Sequence, residues 1–115
     1  MKDWDTVVAY ARALPDVVME KHWGALCPKL NGKGLFAPGR EQGSFCLYVT
    51  MAEKEMLIET DPDTFWQTDH YRSYPAVLAR FGTDAHDRIA LYVQRRWWDV
   101  AKKPQRIAAG MVERP

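Results

Sequence analysis

Basic residues surround a predicted turn in the first half of this chain. Lys29 and Lys33 flank Asn31-Gly32, and Arg40 follows in the next loop. This end of the hairpin is therefore predicted to be a positively charged wing. Lysine and arginine at such a wing can neutralise phosphates, which gives affinity without reading a base sequence. The alternative is that lysines at a hairpin tip serve solubility and protect a sheet edge.

A second segment interleaves aromatic and cationic side chains. It contains His70, Tyr71, Arg72 and Tyr74 within five positions. Aromatic rings beside cations can stack on bases or contact a nucleic-acid groove. This segment is therefore the second candidate for contact with nucleic acid.

Metal chemistry is not indicated by the spacing of the ligand-type residues. A zinc site needs three or four His, Cys, Asp or Glu side chains that converge on one point. His22, His70 and His86 are never three or four positions apart, and Cys27 and Cys46 form no Cys-x-x-Cys pair. The sequence therefore predicts no metal and no cofactor.

Catalysis is not indicated either. Ser44, Ser73 and the two cysteines lie in no recognisable nucleophile motif. Asp69-His70 is a potential carboxylate–imidazole pair, but neighbouring residues in an extended segment point to opposite faces. We therefore predict a non-enzymatic protein with no catalytic residue. An enzyme centred on His70 is the alternative ranked last.

Length and composition fit one ordinary globular domain over residues 1–115, with 47% hydrophobic and 27% charged residues. No apolar run approaches the roughly 18–20 residues that cross a bilayer. The first residues are polar and acidic, so no signal peptide is predicted. A disulfide between Cys27 and Cys46 is one alternative, but a small secreted scaffold normally carries more cysteines, so both are predicted to be buried free thiols, which indicates a cytoplasmic location.

The net charge of +1 conceals an uneven distribution. Residues 51–69 contain six acids and one base, whereas residues 88–106 contain six bases and one acid. Such a split can create one basic face on a nearly neutral protein. It can equally reflect two helices with differently charged solvent sides.

An N-terminal helix is predicted from apolar residues on a single helical face, namely Trp4, Val7, Val8, Ala11 and Leu14. Asp3 is positioned to cap this helix and Pro15 to end it. The stretch from Asp16 to Lys21 is predicted to be a polar connector.

A β-hairpin follows this connector. The runs Gly24–Leu30 and Lys33–Ala37 flank Asn31-Gly32, the pair best suited to the positive φ angles of a type I′ turn. Pro28 interrupts the first run, which predicts a sheet edge or a bulge there.

The middle of the chain alternates and then turns helical. Phe45, Leu47 and Val49 alternate with more polar residues, as in a half-buried strand. Thr50 and Glu53 form the pattern of a capping box, so a helix is predicted from Met51 to Thr60.

The last third contains two further extended segments and the longest helix. Phe65-Trp66 and Ala76–Phe81 are predicted to be strands, and Thr68–Pro75 between them a bulged strand or a turn. Thr83-Asp84 is predicted to cap a helix that Pro104 breaks. Its core stripe comprises Ile89, Tyr92, Val93, Trp97 and Val100.

The order of these elements is helix, three strands, helix, two strands, helix. It predicts an α+β domain of two layers, with one antiparallel sheet of about five strands and three helices on one face.

Trp98 lies beside the core stripe of the last helix and aligns with Leu91, Arg95 and Lys102. One hypothesis is that Trp98 is buried against the sheet. The other is that Leu91 and Trp98 form an interface, which implies a weak homodimer or a protein partner.

Several short motifs, taken in order, resemble the MmcQ/YjbR family, and the resemblance runs from about Val7 to Ala109. The motifs are Leu14-Pro15, Trp23-Gly24, Asn31-Gly32-Lys33 with Leu35-Phe36-Ala37, Asp61-Pro62-Asp63-Thr64-Phe65, Thr68-x-His70-Tyr71-Arg72-x-Tyr74-Pro75 with Val77-Leu78, and Trp97-Trp98 before Lys103-Pro104-x-Arg106. The resemblance implies a fold like that of the frataxin homologue CyaY and DNA binding through a double wing. Gln105 departs from the lysine that is frequent in this family, which removes a charge from the implied DNA-binding face.

The leading hypothesis is therefore a non-enzymatic domain that binds DNA. Its candidate contact residues are Lys29, Lys33, Arg40, His70, Tyr71, Arg72, Arg95, Lys103 and Arg106. The alternative is a module that binds a protein or a small ligand through exposed aromatic residues.

Overall fold

The computed structural model describes residues 1–22 and 24–115. The predicted start of the first hairpin strand at Trp23-Gly24 therefore falls partly outside the described residues. The helices and strands, in chain order, are α1 (Trp4–Arg12), β1 (Val18–His22), β2 (Ala25–Leu30), β3 (Lys33–Gly34), β4 (Phe36–Pro38), β5 (Ser44–Tyr48), α2 (Met51–Thr60), β6 (Phe65–Trp66), a 3₁₀ turn (Asp69–Tyr71), β7 (Ala76–Arg80), α3 (His86–Val100) and α4 (Lys103–Ala108).

The α+β class with antiparallel sheets is confirmed, whereas the single sheet is not. Over the described residues the strands form a three-stranded sheet of order β1-β2-β3 and a four-stranded sheet of order β4-β5-β7-β6. The two sheets are joined at Leu35, the single residue between β3 and β4. In the antiparallel register of the hairpin, Leu35 lies opposite Pro28. The Leu35 amide donates a 2.9 Å hydrogen bond to the Pro28 carbonyl, but Pro28 has no N–H to return one, so the ladder ends there.

The first sheet corrects two further predictions. The predicted connector Asp16–Lys21 contains most of β1, which pairs antiparallel with β2 from Val18↔Lys29 to His22↔Ala25. Its polar composition is that of an edge strand, which needs no alternation of apolar residues when little of it is buried. Because β1 covers the outer side of β2, Pro28 lies in the central strand of the sheet and not at an edge.

The local signals at three element ends are confirmed. Asp3 accepts a hydrogen bond of 2.8 Å from the Thr6 amide at the start of α1. Thr50 and Glu53 form a reciprocal capping box at α2. Asn31 and Gly32 have φ angles of 52° and 80°, as a type I′ turn requires.

The C-terminal helices differ from the prediction in two ways. Helix α3 begins at His86 with Ala85 as N-cap and no side-chain capping bond, so Thr83-Asp84 does not cap it. Thr83 instead accepts a hydrogen bond of 3.4 Å from the amide of Ala85. Helix α3 ends at Val100, and Pro104, which was predicted to break it, lies in the first turn of the separate helix α4, which brings the described α-helices to four instead of the predicted three.

The strands of the four-stranded sheet divide their side chains between two clusters. Phe45 and Leu47 enter the main core, which also contains the fully buried Trp97 of α3. Cys46 lies on the opposite face, in a small cluster with Tyr71 and Leu78. The period of two along β5 thus places one face against the helices and the other beneath the segment 68–75. The free thiols Cys27 and Cys46 are both buried, as predicted.

Candidate functional site

A cleft of about 930 Å³ opens between the first hairpin, the loop after β4 and the segment 68–75. We call it the basic cleft. It is lined by His22, Ala25, Gly32, Lys33, Gly34, Ala37, Pro38, Arg40, Cys46, Tyr48, His70, Tyr71, Tyr74, Pro75, Ala76 and Arg96. The two segments that the sequence indicated for nucleic-acid contact therefore lie on the same concavity.

Positive charge dominates the basic cleft. Lys33 and Arg40 are exposed, and Arg96 is half-buried. Of the lining residues that the structure describes, none is an aspartate or a glutamate. A concave surface with cations and no carboxylates attracts anions and concentrates them.

Aromatic rings form one lip of the cleft. Tyr71 is buried, whereas Tyr74 is 56% exposed. His70 precedes both tyrosines in the sequence, and the centroid of its imidazole lies 4.8 Å from that of Tyr71 and 6.1 Å from that of Tyr74. Arg40 Nη1 lies 2.8 Å from His70 Nδ1, so the cationic and aromatic lips meet at this hydrogen bond.

The floor of the cleft joins the two sheets. His22 Nε2 of β1 lies 2.8 Å from the hydroxyl of Tyr48 on β5. Gly34 passes between these rings so closely that an added Cβ would lie 3.3 Å from atoms of both. Arg96 reaches from α3 to donate a 3.0 Å hydrogen bond to the Gly34 carbonyl, and its guanidinium lies 5.1 Å from the Tyr48 ring centroid.

Burial keeps the titratable floor groups neutral. Desolvation raises the pKa of Tyr48 to about 12 and that of Cys46 to about 11. Desolvation lowers the pKa of His22, and the positive charges of Lys29 and Arg96 lower it further. At neutral pH the charge of the cleft therefore comes from its lysine and arginines.

Lys54 holds the aromatic lip in place. This side chain of α2 is only 2% exposed, and burial lowers its pKa. Its ammonium donates to the carbonyls of Tyr71, Arg72 and Tyr74 at 2.6, 3.3 and 2.9 Å. These three bonds use all the protons of the ammonium, so the segment 71–74 is fixed to the helix behind it.

The hairpin tip is fixed as well. Asn31 Nδ2 donates to Gln105 Oε1 of α4 at 2.8 Å and to the Val100 carbonyl of α3 at 3.3 Å. Gln105 also receives a 2.8 Å bond from the Lys102 amide. Gln105 thus anchors the turn, and the predicted wing does not project freely.

Five predicted contact residues lie outside the lining of the basic cleft. Lys29 pairs with Gly34 across the hairpin, next to the floor. Arg72 forms an exposed ion pair of 2.5 Å with Asp69. Arg95 bonds Glu53 and the Pro115 carbonyl, at 3.2 and 2.7 Å. Lys103 and Arg106 lie on α4.

The predicted interface pair is partly covered by the chain itself. Leu91 and Trp98 are both half-buried and pack against the main core. The Trp98 indole donates to the Met111 carbonyl at 3.0 Å, and the Arg106 guanidinium lies 3.6 Å from its ring centroid.

Sequence reasoning missed His22, Tyr48, Arg96 and Lys54. Tyr48 carried a usable signal, because alternation along β5 places it opposite Phe45 and Leu47, facing away from the main core. Arg96 and Lys54 had no such signal, since their roles depend on backbone carbonyls that are distant in sequence.

The arrangement around His70 does not assemble a catalytic dyad. The Asp69 carboxylate bonds Arg72, and His70 Nδ1 is engaged by Arg40.

Within residues 1–22 and 24–115, no three His, Cys, Asp or Glu side chains are grouped so that they could hold a metal ion. A second concavity, of about 580 Å³, is lined by Asp61, Asp63, Asp84, Asp87 and Arg88 among others and would repel anions.

No helix in the described residues is long and apolar enough to span a bilayer.

Comparisons with protein-family models, with curated proteins and with solved structures find no match to this chain.

Proposed function

We propose that this chain is a non-enzymatic, cytoplasmic DNA-binding domain of the MmcQ/YjbR type, with a CyaY-like arrangement of its elements. The observation that carries the proposal is the basic cleft, where Lys33, Arg40 and Arg96 converge and no acidic residue is present among the described lining residues. Its aromatic lip adds the stacking surface that phosphate binding alone would not need.

The side chains of the three cations differ in how freely they can move, so we expect them to play different roles. Lys33 and Arg40 are exposed and can follow phosphates along the rim. Arg96 is held by the Gly34 carbonyl and the Tyr48 ring, so it offers a fixed charge at the floor. Contacts of this kind give modest affinity that depends strongly on salt.

A small anionic ligand is the second candidate. The volume of about 930 Å³ falls within the range of about 300–1,000 Å³ that small-molecule sites occupy. The mixture of an apolar floor and a few fixed polar groups is also typical of such sites. A mononucleotide that binds as tightly as an oligonucleotide would favour this candidate.

The test is a fluorescence anisotropy titration of a labelled oligonucleotide between about 50 mM and 200 mM salt. The double variant Lys33→Ala/Arg40→Ala should bind more weakly on all sequences. Its plot of log affinity against log salt should be flatter by up to about two units of slope. The control Lys2→Ala/Arg12→Ala removes the same charge at exposed sites outside the cleft and should bind like the parent. Equal losses in both double variants would contradict the cleft as the binding site.

A further inference from the structure

We infer that the basic cleft takes unpaired bases, so that the preferred ligand is single-stranded DNA and not a duplex. This inference rests on the proposed function and specifies the ligand of the same site. Three features carry it: the shape of the cleft, the restrained hairpin tip and the exposed ring of Tyr74.

The shape of the cleft suits a base that is not stacked inside a duplex. A duplex is read by an element that protrudes into one of its grooves, because its bases are stacked inside. The basic cleft is instead a concavity of about 930 Å³ between two walls. Only the outer phosphates of a duplex would reach its rim, whereas a base of a single strand can enter it.

The hairpin tip is not arranged to enter a groove. A wing that reads a duplex must project its turn away from the body of the protein. Asn31 is instead bonded to Gln105 of α4 and to the Val100 carbonyl of α3. These bonds hold the turn against the C-terminal helices, with Lys33 left at the rim of the cleft.

The aromatic lip presents a ring that is available for stacking. Tyr74 is 56% exposed, so much of its largely apolar ring is accessible to a base. Its carbonyl is fixed by Lys54, so the position of this residue is set before a ligand arrives. Stacking of one base on one aromatic ring strengthens binding by about tenfold or more.

The floor can accept the face and the edge of a base. Ala37, Cys46 and Ala76 provide small, largely apolar contacts, and burial keeps the Cys46 thiol protonated with a pKa raised to about 11. The hydroxyl of Tyr48 and the imidazole of His22 provide polar groups deeper in the cleft. Lys33 and Arg40 at the rim remain available to the phosphates on either side.

The experiment compares three labelled ligands of about twelve nucleotides at one salt concentration: a single strand, its duplex, and the same strand with abasic sites. The single strand should bind about tenfold or more tightly than the other two. Tyr74→Ala should lower the affinity for the single strand towards the level of the duplex, and Tyr74→Phe should retain the preference. Equal binding of all three ligands would overturn this inference and leave the proposed function standing. Failure of all three to bind would overturn both.

Discussion

Lys54 is a buried lysine whose charge is met by backbone carbonyls and not by a carboxylate. It donates to three carbonyls of the segment 71–74, at 2.6–3.3 Å. Buried charges are tolerated only when their hydrogen-bonding capacity is satisfied, and here it is. The aromatic lip of the cleft is therefore held from behind by one residue of α2 that does not itself line the cleft.

Replacement of Lys54 by methionine should destabilise the domain by about 3 kcal/mol, because the three carbonyls lose a charged donor. The exposed variant Lys103→Met is the matched control and should change stability by less than about 0.5 kcal/mol. Urea unfolding followed by tryptophan fluorescence measures both. Equal midpoints for the two variants would show that the lip does not depend on Lys54.

The surroundings of His22 are expected to make the stability of the domain depend on pH. Desolvation, with Lys29 and Arg96, lowers the pKa of His22 from its ordinary value of 6.5. Below that value the unfolded imidazole binds a proton that the folded one does not, so stability falls as the pH falls through the folded pKa. At higher pH the imidazole of His22 is neutral in both the folded and the unfolded protein, so this loss of stability disappears.

The midpoint of thermal unfolding should therefore decrease between about pH 7 and pH 5, and His22→Gln should show a smaller decrease. Glu53 has a pKa that burial raises, but hydrogen bonds from Thr50 and Arg114 lower it overall below its ordinary value of 4.5. Protonation of Glu53 therefore lowers the stability at a more acidic pH than protonation of His22 does. Identical pH profiles for the parent and His22→Gln would exclude His22 as the cause.

At the scale of elements, α3, α4 and the residues after α4 pack together around Trp98. The Arg106 guanidinium of α4 lies over this ring and also donates to the Trp98 carbonyl at 2.9 Å. Arg114 ties the C-terminal residues to Asp99 and Glu53, with distances of 2.8 and 3.0 Å. These contacts favour a structural role for Trp98.

Trp98→Ala should accordingly lower stability by about 3 kcal/mol, near the low end for loss of an aromatic core residue because Trp98 is only half-buried. The interface hypothesis expects the opposite pattern, a near-native melting temperature with loss of a dimer. Thermal melts and analytical sedimentation of the same variant distinguish the two. Leu91→Ala tests whether any self-association extends to the second residue of the predicted interface.

The elements that the sequence predicted well are those with local signals. The caps at Asp3 and Thr50 and the positive φ angles at Asn31-Gly32 arise within a few residues of each other. Strand β1 was missed because nothing in its own sequence specifies it. Its extended form comes from pairing with β2, and that contact exists only in the folded molecule.

At the scale of the whole molecule, the sequence predicted the α+β class, and it named the hairpin and the segment 68–75 as separate candidate surfaces without predicting that they share one cleft. It did not predict the division into two sheets, because the interruption opposite Pro28 depends on the register of β2 with the chain at Leu35. The charge split along the sequence was also an incomplete guide. Arg95 and Arg96 are neighbours on α3, yet only Arg96 lines the cleft.

Both walls of the basic cleft are pinned from behind, one by Lys54 and the other by the bonds of Asn31 to the C-terminal helices. A ligand of the proposed kind would therefore meet an open cavity whose two walls are already held in position. The speed of capture is then limited by encounter and orientation, which for preformed sites corresponds to about 10⁵–10⁷ M⁻¹s⁻¹. The cations at the rim raise that rate at low salt. On the proposed function, differences in affinity between ligands are expected to arise from how long each ligand stays bound, and stacking on the exposed ring of Tyr74 is expected to lengthen that time.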